Sequence, residues 1–304
     1  MIDNNIKYKP LVSVIVPTYN RAYCLARTIQ CVLNQTFTDL ELIIIDNHST
    51  DDTDSLINSY TDKRIKYIKI HNDGVIAASR NKGIDAASGK YLAFLDSDDW
   101  WTPDKLEQSV QTLETGADFV YHDLYRMPFG SDKSKSWKRI RTWSVKTPVF
   151  DDLILRGNAI ATSGVVVRKE YMKTIGGFSE DRQLIAAEDY EAWLRISKLT
   201  DNFMRLPDCL GYYTTGGDNT SGAKNSMIHL EKLLELYNDK IQELNRGIPS
   251  WMTYSLATSY YKTKIMNKAK LFSLKTLKGN AFIDIKIRSA MIWILSSIHS
   301  AVIT

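Results

Sequence analysis

The chain has 304 residues, 44% hydrophobic and 24% charged, with a net charge of +4. This composition supports a large folded core, and the length allows about two domains. Cys24, Cys31 and Cys209 are an odd number without metal-ligand spacing, which argues against a disulfide framework and reads as reduced thiols of a cytosolic protein.

The opening MIDNNIKYKP is polar and lacks the apolar segment of a secretory signal, so none is expected. LVSVIV at 11–16 is a continuous apolar, β-branched run ended by Pro17, the pattern of a buried parallel strand. Asn20 is placed to cap a helix through about Gln35, with Leu25, Ile29, Val32 and Leu33 on one face. ELIIIDN predicts a second buried strand with its polar end at Asp46 and Asn47. STDDTDSLINSY opens the next helix, capped by Ser49 or Thr50. IKYIKI is a third strand, 75–87 a helix ending before Gly89, and YLAFL a fourth strand. This alternation predicts a mainly parallel sheet with helices on both faces. Ligands of such sheets bind outside the carboxyl ends of the strands, where Pro17, Thr18, Tyr19, Asp46, Asn47 and the DSD at 96–98 all fall.

The stretch 129–148 is polar, basic and contains Trp137 and Trp143. It reads as a long loop, a setting that is usually functional or disordered. GVVVRKE is a further strand, and AAEDYEAWLRI begins a helix with Glu188 and Asp189 in its first turn. GYYTTGGDNTSG is a glycine-rich loop. From about Lys224 the pattern is helical throughout, which places a domain boundary near Gly222, with 1–222 and 223–304 on either side.

Charge is uneven along the chain. From Arg246 onward nine Lys or Arg stand against one acid, Asp284, a net +8, and residues 1–245 carry about −4. A basic tail points to an anionic partner, nucleic acid or anionic lipid. The stretch 281–304 is apolar but interrupted by Asp284, Lys286, Arg288 and His299, so its clean run falls short of the roughly 20 residues that span a bilayer. It fits an interfacial amphipathic helix, and equally a helix packed on the protein or in a homodimer interface. Its aliphatic content suits membrane or protein packing better than nucleic acid.

Asp96 and Asp98 form an acid-x-acid pair behind a buried strand. Alternate residues of an extended segment point the same way, so both carboxylates can face one site. Oxygen ligands of this kind suit Mg²⁺ or Mn²⁺ bridging phosphate oxygens. Asp99 points elsewhere and is placed to cap the segment before Pro103. His48 and His122 lack ligand spacing and read as core or surface residues, and Arg195 as a salt-bridging helix residue.

Taken together, PLVSVIVPTYNR, DLELIIIDNHSTDDT, GVIAASRNKGIDAASGKYLAFLDSDDWW, GVVVRKEYMKTIGGFSE and AAEDYEAWLRI resemble the inverting family 2 glycosyltransferases of the GT-A fold, over about residues 10–220. The resemblance implies that Pro17, Thr18 and Tyr19 line the nucleotide pocket, with Asp46 and Asn47 beside the base. Many relatives have a second Asp where this chain has Asn47, whose side-chain oxygen can still accept the N3–H of uracil. Arg80 and Asn81 would sit near the nucleotide, Arg80 offsetting carboxylate or phosphate charge. Asp96 and Ser97 would reach the ribose or metal shell, and Asp98 would ligate a divalent cation, Mn²⁺ or Mg²⁺. Asp189 would be the base that takes the acceptor hydroxyl proton, with Glu188 and Trp101 on the acceptor side, Trp101 stacking on a sugar face.

The implied reaction moves a hexose or N-acetylhexosamine from a UDP-sugar to a glycan acceptor on a lipid carrier. Its setting would be bacterial surface-polysaccharide assembly, O-antigen or capsule, at the cytoplasmic face of the membrane. Two other readings are weaker. A sugar-phosphate nucleotidylyltransferase needs a glycine- and basic-rich loop after the first strand, and PTYNRAYC has no glycine and one Arg. A non-catalytic binding module using the tail for nucleic acid is disfavoured by the tail's composition.

Overall fold

The computed structural model describes residues 9–128, 138–216, 222–244 and 247–303, with side chains described to 298. The polar residues 1–8, the part of the long basic loop at 129–137 and the glycine-rich 217–221 lie outside the described residues. The chain divides into two compact units. The first comprises the described residues of Met1–Val145, Ile160–Phe178 and Leu199–Gly217, the second those of Lys146–Ala159, Ser179–Lys198 and Asp218–Thr304.

In chain order the strands are β1 (Val12–Thr18), β2 (Leu40–Asp46), β3 (Ile65–Lys69), β4 (Tyr91–Phe94), β5 (Trp100–Trp101), β6 (Phe119–Pro128), β7 (Lys138–Ile140), β8 (Val166–Arg168) and β9 (Phe203–Thr215). The helices are α1 (Ala22–Leu33), α2 (Thr53–Asn58), α3 (Ile76–Ala86), α4 (Lys105–Glu114), α5 (Val149–Arg156), α6 (Lys169–Thr174), α7 (Glu188–Ile196), α8 (Ala223–Glu243), α9 (Ser250–Lys262), α10 (Met266–Lys278) and α11 (Ile283–Ile303).

All described strands join one sheet of the first unit, ordered β3-β2-β1-β4-β8-β6-β9-β5, with β7 on β6. The first four strands pair in parallel, as the apolar runs predict. Beyond β4 the sheet is mixed: β8 is antiparallel to both β4 and β6, while β9 is parallel to β6. β1 is buried along its whole length because both its faces are covered. Val12, Val14 and Val16 share a core with Leu25, Ile29 and Val32 of α1 and with Leu106 and Val110 of α4. On the other face α3 approaches so closely at Gly83 that a Cβ there would meet the Ile15 side chain. The strand also runs further than its sequence suggests. Pro17 is inside β1, opposite Ile45, and is tolerated because pairing with β4 ends at Ile15.

The second unit is helical. Tyr190 of α7 donates to the Leu153 carbonyl of α5 at 2.7 Å, and Tyr237 of α8 to Glu191 of α7 at 3.3 Å. Trp251 of α9 donates to the Ile154 carbonyl at 2.9 Å, and Thr276 of α10 to Thr253 of α9 at 2.9 Å. These bonds explain why the packing does not follow a single cut near Gly222. The segments 146–159 and 179–198 use their buried faces and polar tips on the C-terminal helices.

Candidate active site

Strands β1, β2 and β4 end on one edge of the sheet, and the loops that follow are bound to one another. Thr18 is in register with Asp46, and the Asn47 N–H donates to the Thr18 carbonyl at 3.0 Å. Asn20 adopts a left-handed φ of 49°. It does not cap α1. Its backbone N–H donates to Ser49 Oγ at 2.8 Å, and its Oδ1 accepts the Thr50 N–H at 2.7 Å. The cap comes from the β2–α2 loop, where Asp51 accepts the Ala22 N–H at 3.0 Å. The same carboxylate takes the Thr53 N–H at 3.1 Å, the role expected of Ser49 or Thr50 at α2. A helix end needs an acceptor, and tertiary proximity supplied a better one than the local sequence.

Asp46 is fully buried and committed. It accepts from Ser49 N–H at 3.0 Å, Ser49 Oγ at 2.5 Å and Tyr67 Oη at 2.8 Å. It shapes the β2 end through these bonds. Asn47 is part-exposed, and its Oδ1 accepts the Asn72 N–H at 2.8 Å. Thr18 is 5% exposed, and its hydroxyl has no hydrogen-bond partner among the described residues. A buried orphan hydroxyl is unusual in a native fold and marks a position where a ligand can bond. Tyr19, next along, is 53% exposed. Beside this edge His48 and His71, both exposed, stack with ring centroids 3.8 Å apart.

The four residues 96–99, which follow β4 after Leu95, divide their tasks. Asp96 receives Arg80 Nη2 at 2.8 Å, and Asp98 receives Arg21 Nη1 at 2.6 Å. Burial, and then the charge of Asp96, raise the Asp98 carboxyl above the ordinary carboxylate range, against the pull of Arg21. Ser97 is buried, and its carbonyl accepts the Thr28 hydroxyl of α1 at 2.9 Å. Asp99 is turned inward, as the alternation implies, but it is no cap. It accepts Ser163 Oγ at 2.6 Å and the Thr214 N–H at 2.9 Å. Burial, followed by the charges of Asp96 and Asp98, pushes its carboxyl well up. Ser163 also accepts the Asp96 N–H at 3.2 Å, so one hydroxyl joins both acids.

Burial corrects one expectation, and hydrogen bonding specifies another. Trp101 is 3% exposed, its indole N–H donates to the Ser163 carbonyl at 2.6 Å, and Lys105 Nζ lies 3.7 Å from its ring centre. It offers no open face for a sugar and instead braces the Ser163 turn. Asn81 spends its side-chain amide on the Phe178 backbone, as donor at 2.9 Å and acceptor at 2.8 Å, where Gly177 has a φ of 80°. Arg21, Ser163 and Thr214 were not singled out from sequence. Their partners lie 77, 64 and 115 residues away, and no local pattern announces such pairs.

Glu188 and Asp189 belong to the second unit, in the first turn of α7, where acids suit the helix dipole. Ala186 just before them has a left-handed φ of 67°, a costly conformation for alanine that turns the chain into the helix. Asp189 is part-exposed, and Glu188 is buried near His229 of α8, whose pKa burial holds below its ordinary value although Glu188 raises it. Arg195 pairs with Glu191 at 2.7 Å.

In the first unit, then, the strand ends bring together two arginine-held acids and an unsatisfied threonine hydroxyl. Among the described residues no group of three or more His, Cys, Asp or Glu is placed to enclose a metal unaided. Asp96 and Asp98 are the carboxylates that would hold a divalent cation such as Mg²⁺, which is commonly bound by one or two carboxylates. The sheet topology is that of the GT-A fold.

The chain belongs to glycosyl transferase family 2, whose family model matches residues 13–174. It is similar to TuaG of Bacillus subtilis, named as a teichuronic acid biosynthesis glycosyltransferase. The identity is 30% over 261 residues, 85% of this chain and 99% of that one. It is 33% identical to WfaP of Escherichia coli, a UDP-Glc:alpha-D-GlcNAc-diphosphoundecaprenol beta-1,3-glucosyltransferase, over 61% of this chain and 70% of the relative. Among solved structures, S. aureus TarS in complex with UDP-GlcNAc superposes with a TM-score of 0.60 at 19% identity, covering 94% of this chain and 79% of that one. The mannosyltransferase PcManGT from Pyrobaculum calidifontis, in complex with GDP-Man and Mn²⁺, gives 0.56 at 17%, covering 96% and 87%.

Proposed function

We propose that this glycosyltransferase uses a UDP-sugar, with inversion, to extend a lipid-linked oligosaccharide in bacterial surface-polysaccharide assembly. The observation that carries the reading is the convergence of Thr18, Asp96 and Asp98 with Arg21 and Arg80 at one sheet edge. The names of WfaP, with its UDP-Glc donor and diphosphoundecaprenol-linked acceptor, and of TuaG support the substrate class. The UDP-GlcNAc complex of TarS supports the nucleotide. Such an acceptor is membrane-borne, so the protein works peripherally at the cytoplasmic face of the membrane.

In this reading Pro17, Thr18 and Tyr19 form the wall of the nucleotide pocket, and Thr18 Oγ1 gains a ligand partner. Asn47 offers its oxygen toward the base, and Asp46 fixes the loop that carries it. Asp96 and Asp98 hold Mn²⁺ or Mg²⁺. When bound, the cation neutralises charge on the departing diphosphate. Arg21 and Arg80 then balance what remains of the acids' charge and orient them. Asp189 accepts the acceptor hydroxyl proton as that oxygen bonds to the anomeric carbon and the bond to diphosphate breaks, with Glu188 on the acceptor side.

The test is UDP release by purified protein with a lipid-linked acceptor, across donor sugars and with or without Mn²⁺. Asp98→Asn and Asp189→Asn each lower turnover by about 100-fold or more. Asp98→Asn also removes the effect of Mn²⁺ on UDP binding, and Asp189→Asn leaves it intact. Full turnover in either variant rejects its assigned role.

A further inference from the structure

Helix α11 leaves a row of large apolar side chains exposed to water. Ser289 and Ser296 are fully buried. The opposite side presents Ile283, Ile287, Met291, Ile294, Leu295 and Ile298, each 44–74% exposed. Their spacing of three and four places them on one continuous stripe. Helix α10 buries Met266, Ala269, Ser273 and Thr276, the last bonded to Thr253 of α9, and its Lys270 Nζ lies 5.3 Å from the Trp293 ring centre of α11. On the inner side Ile285, Ile292 and Trp293 are half-buried beside the two serines, and the remaining large apolar side chains stay outside. A contiguous apolar face of this kind marks an interaction surface.

Charge selects the occupant. Arg288 and Lys286 border the stripe on its two sides, and Lys275 and Lys278 of α10 are exposed. Against the nine basic residues of this region stands one acid, Asp284. A two-fold pair with a second copy would set the same basic patch against itself. An anionic lipid surface complements it, while the aliphatic stripe sinks into the headgroup boundary. No helix among the described residues is long and apolar enough to cross a membrane, so docking in the plane is the geometry left for this helix. We infer that the outer face of α11 docks the protein onto an anionic bilayer.

The test is flotation of the full chain with vesicles of phosphatidylcholine alone or mixed with phosphatidylglycerol. Binding to the anionic vesicles exceeds that to phosphatidylcholine by more than about tenfold and falls as salt is raised. The double variant Ile287→Glu, Ile294→Glu loses about tenfold or more of that binding, yet UDP still raises its melting temperature as in the wild type. That second readout separates this inference from the proposed reaction. Failure of UDP to stabilise the wild type counts against the donor assignment alone. Equal binding to both vesicle types, absence of binding, or a wild-type dimer by light scattering that the double variant converts to monomer would each overturn the docking proposal.

Discussion

Glu41 of β2 shows how an inward-facing acid can stabilise a fold. Burial raises its pKa, but Lys66 at 2.5 Å, the Ser13 hydroxyl at 2.6 Å and the Ser88 N–H outweigh it, and the net shift is downward from 4.5. A lowered folded pKa means that the contribution is present above the unfolded value and is lost as pH falls through the folded one. Glu41→Gln should therefore cost about 2 kcal/mol at pH 7. The gap to wild type should narrow below about pH 4. Urea unfolding at both pH values decides this, and a gap independent of pH rejects it. Asp99 stabilises differently, by satisfying two buried donors, Ser163 Oγ and the Thr214 N–H. Asp99→Ala leaves both without that acceptor and should cost about 3 kcal/mol, read from the denaturation midpoint. Ser163→Ala, which spares the Thr214 bond, should cost less.

At the scale of elements, two contacts set how closely helices approach the sheet. Gly89, after α3, donates its N–H to Ser13 Oγ at 2.8 Å, and a Cβ there would stand 2.7 Å from the Ser13 backbone nitrogen. Backbone cannot yield as a side chain can, so Gly89→Ala should lose about 2 kcal/mol with KM for the donor nearly unchanged. Thr28 of α1 has the opposite profile. Its hydroxyl serves the carbonyls of Ser97 at 2.9 Å and Asp99 at 2.8 Å, pinning the acidic loop to the helix. Thr28→Val should cost only about 1 kcal/mol in stability but raise KM for the donor. Paired unfolding and steady-state measurements separate the two, and equal KM values in both variants would sink the distinction.

At the scale of the whole molecule, donor binding should register as stability. A ligand of the native state at a hundredfold its Kd adds about 2.7 kcal/mol by mass action. UDP with Mn²⁺ should approach that gain in thermal unfolding, and UDP alone should fall short of it. GDP should give less than UDP if the Asn47 oxygen faces a uracil. Equal stabilisation by GDP would show that the base is not read at the β2 end. The orphan hydroxyl of Thr18 gives the same prediction a local form: Thr18→Val should reduce the UDP-induced stabilisation if that hydroxyl bonds the nucleotide.

The sequence by itself determined the parallel half of the sheet, because strands covered on both faces read as near-continuous apolar runs, and LVSVIV and ELIIIDN do so apart from Ser13, Glu41 and the polar end at Asp46 and Asn47. It also determined the family and the positions of the acids, since DSDD is contiguous and its alternation fixes which carboxylate turns inward. It could not give what spans the chain. Arg21 finds Asp98 over 77 residues and Ser163 finds Asp99 over 64, and only the folded sheet brings those loops together. The assignment of 146–159 and 179–198 to the helical unit has the same origin, because apolar helix faces do not specify their partner. Helix α11 makes the point most directly. Its sequence spreads isoleucines around most of the helix, and only the packing shows that Ser289 and Ser296 are buried while Ile287 and Ile294 face outward.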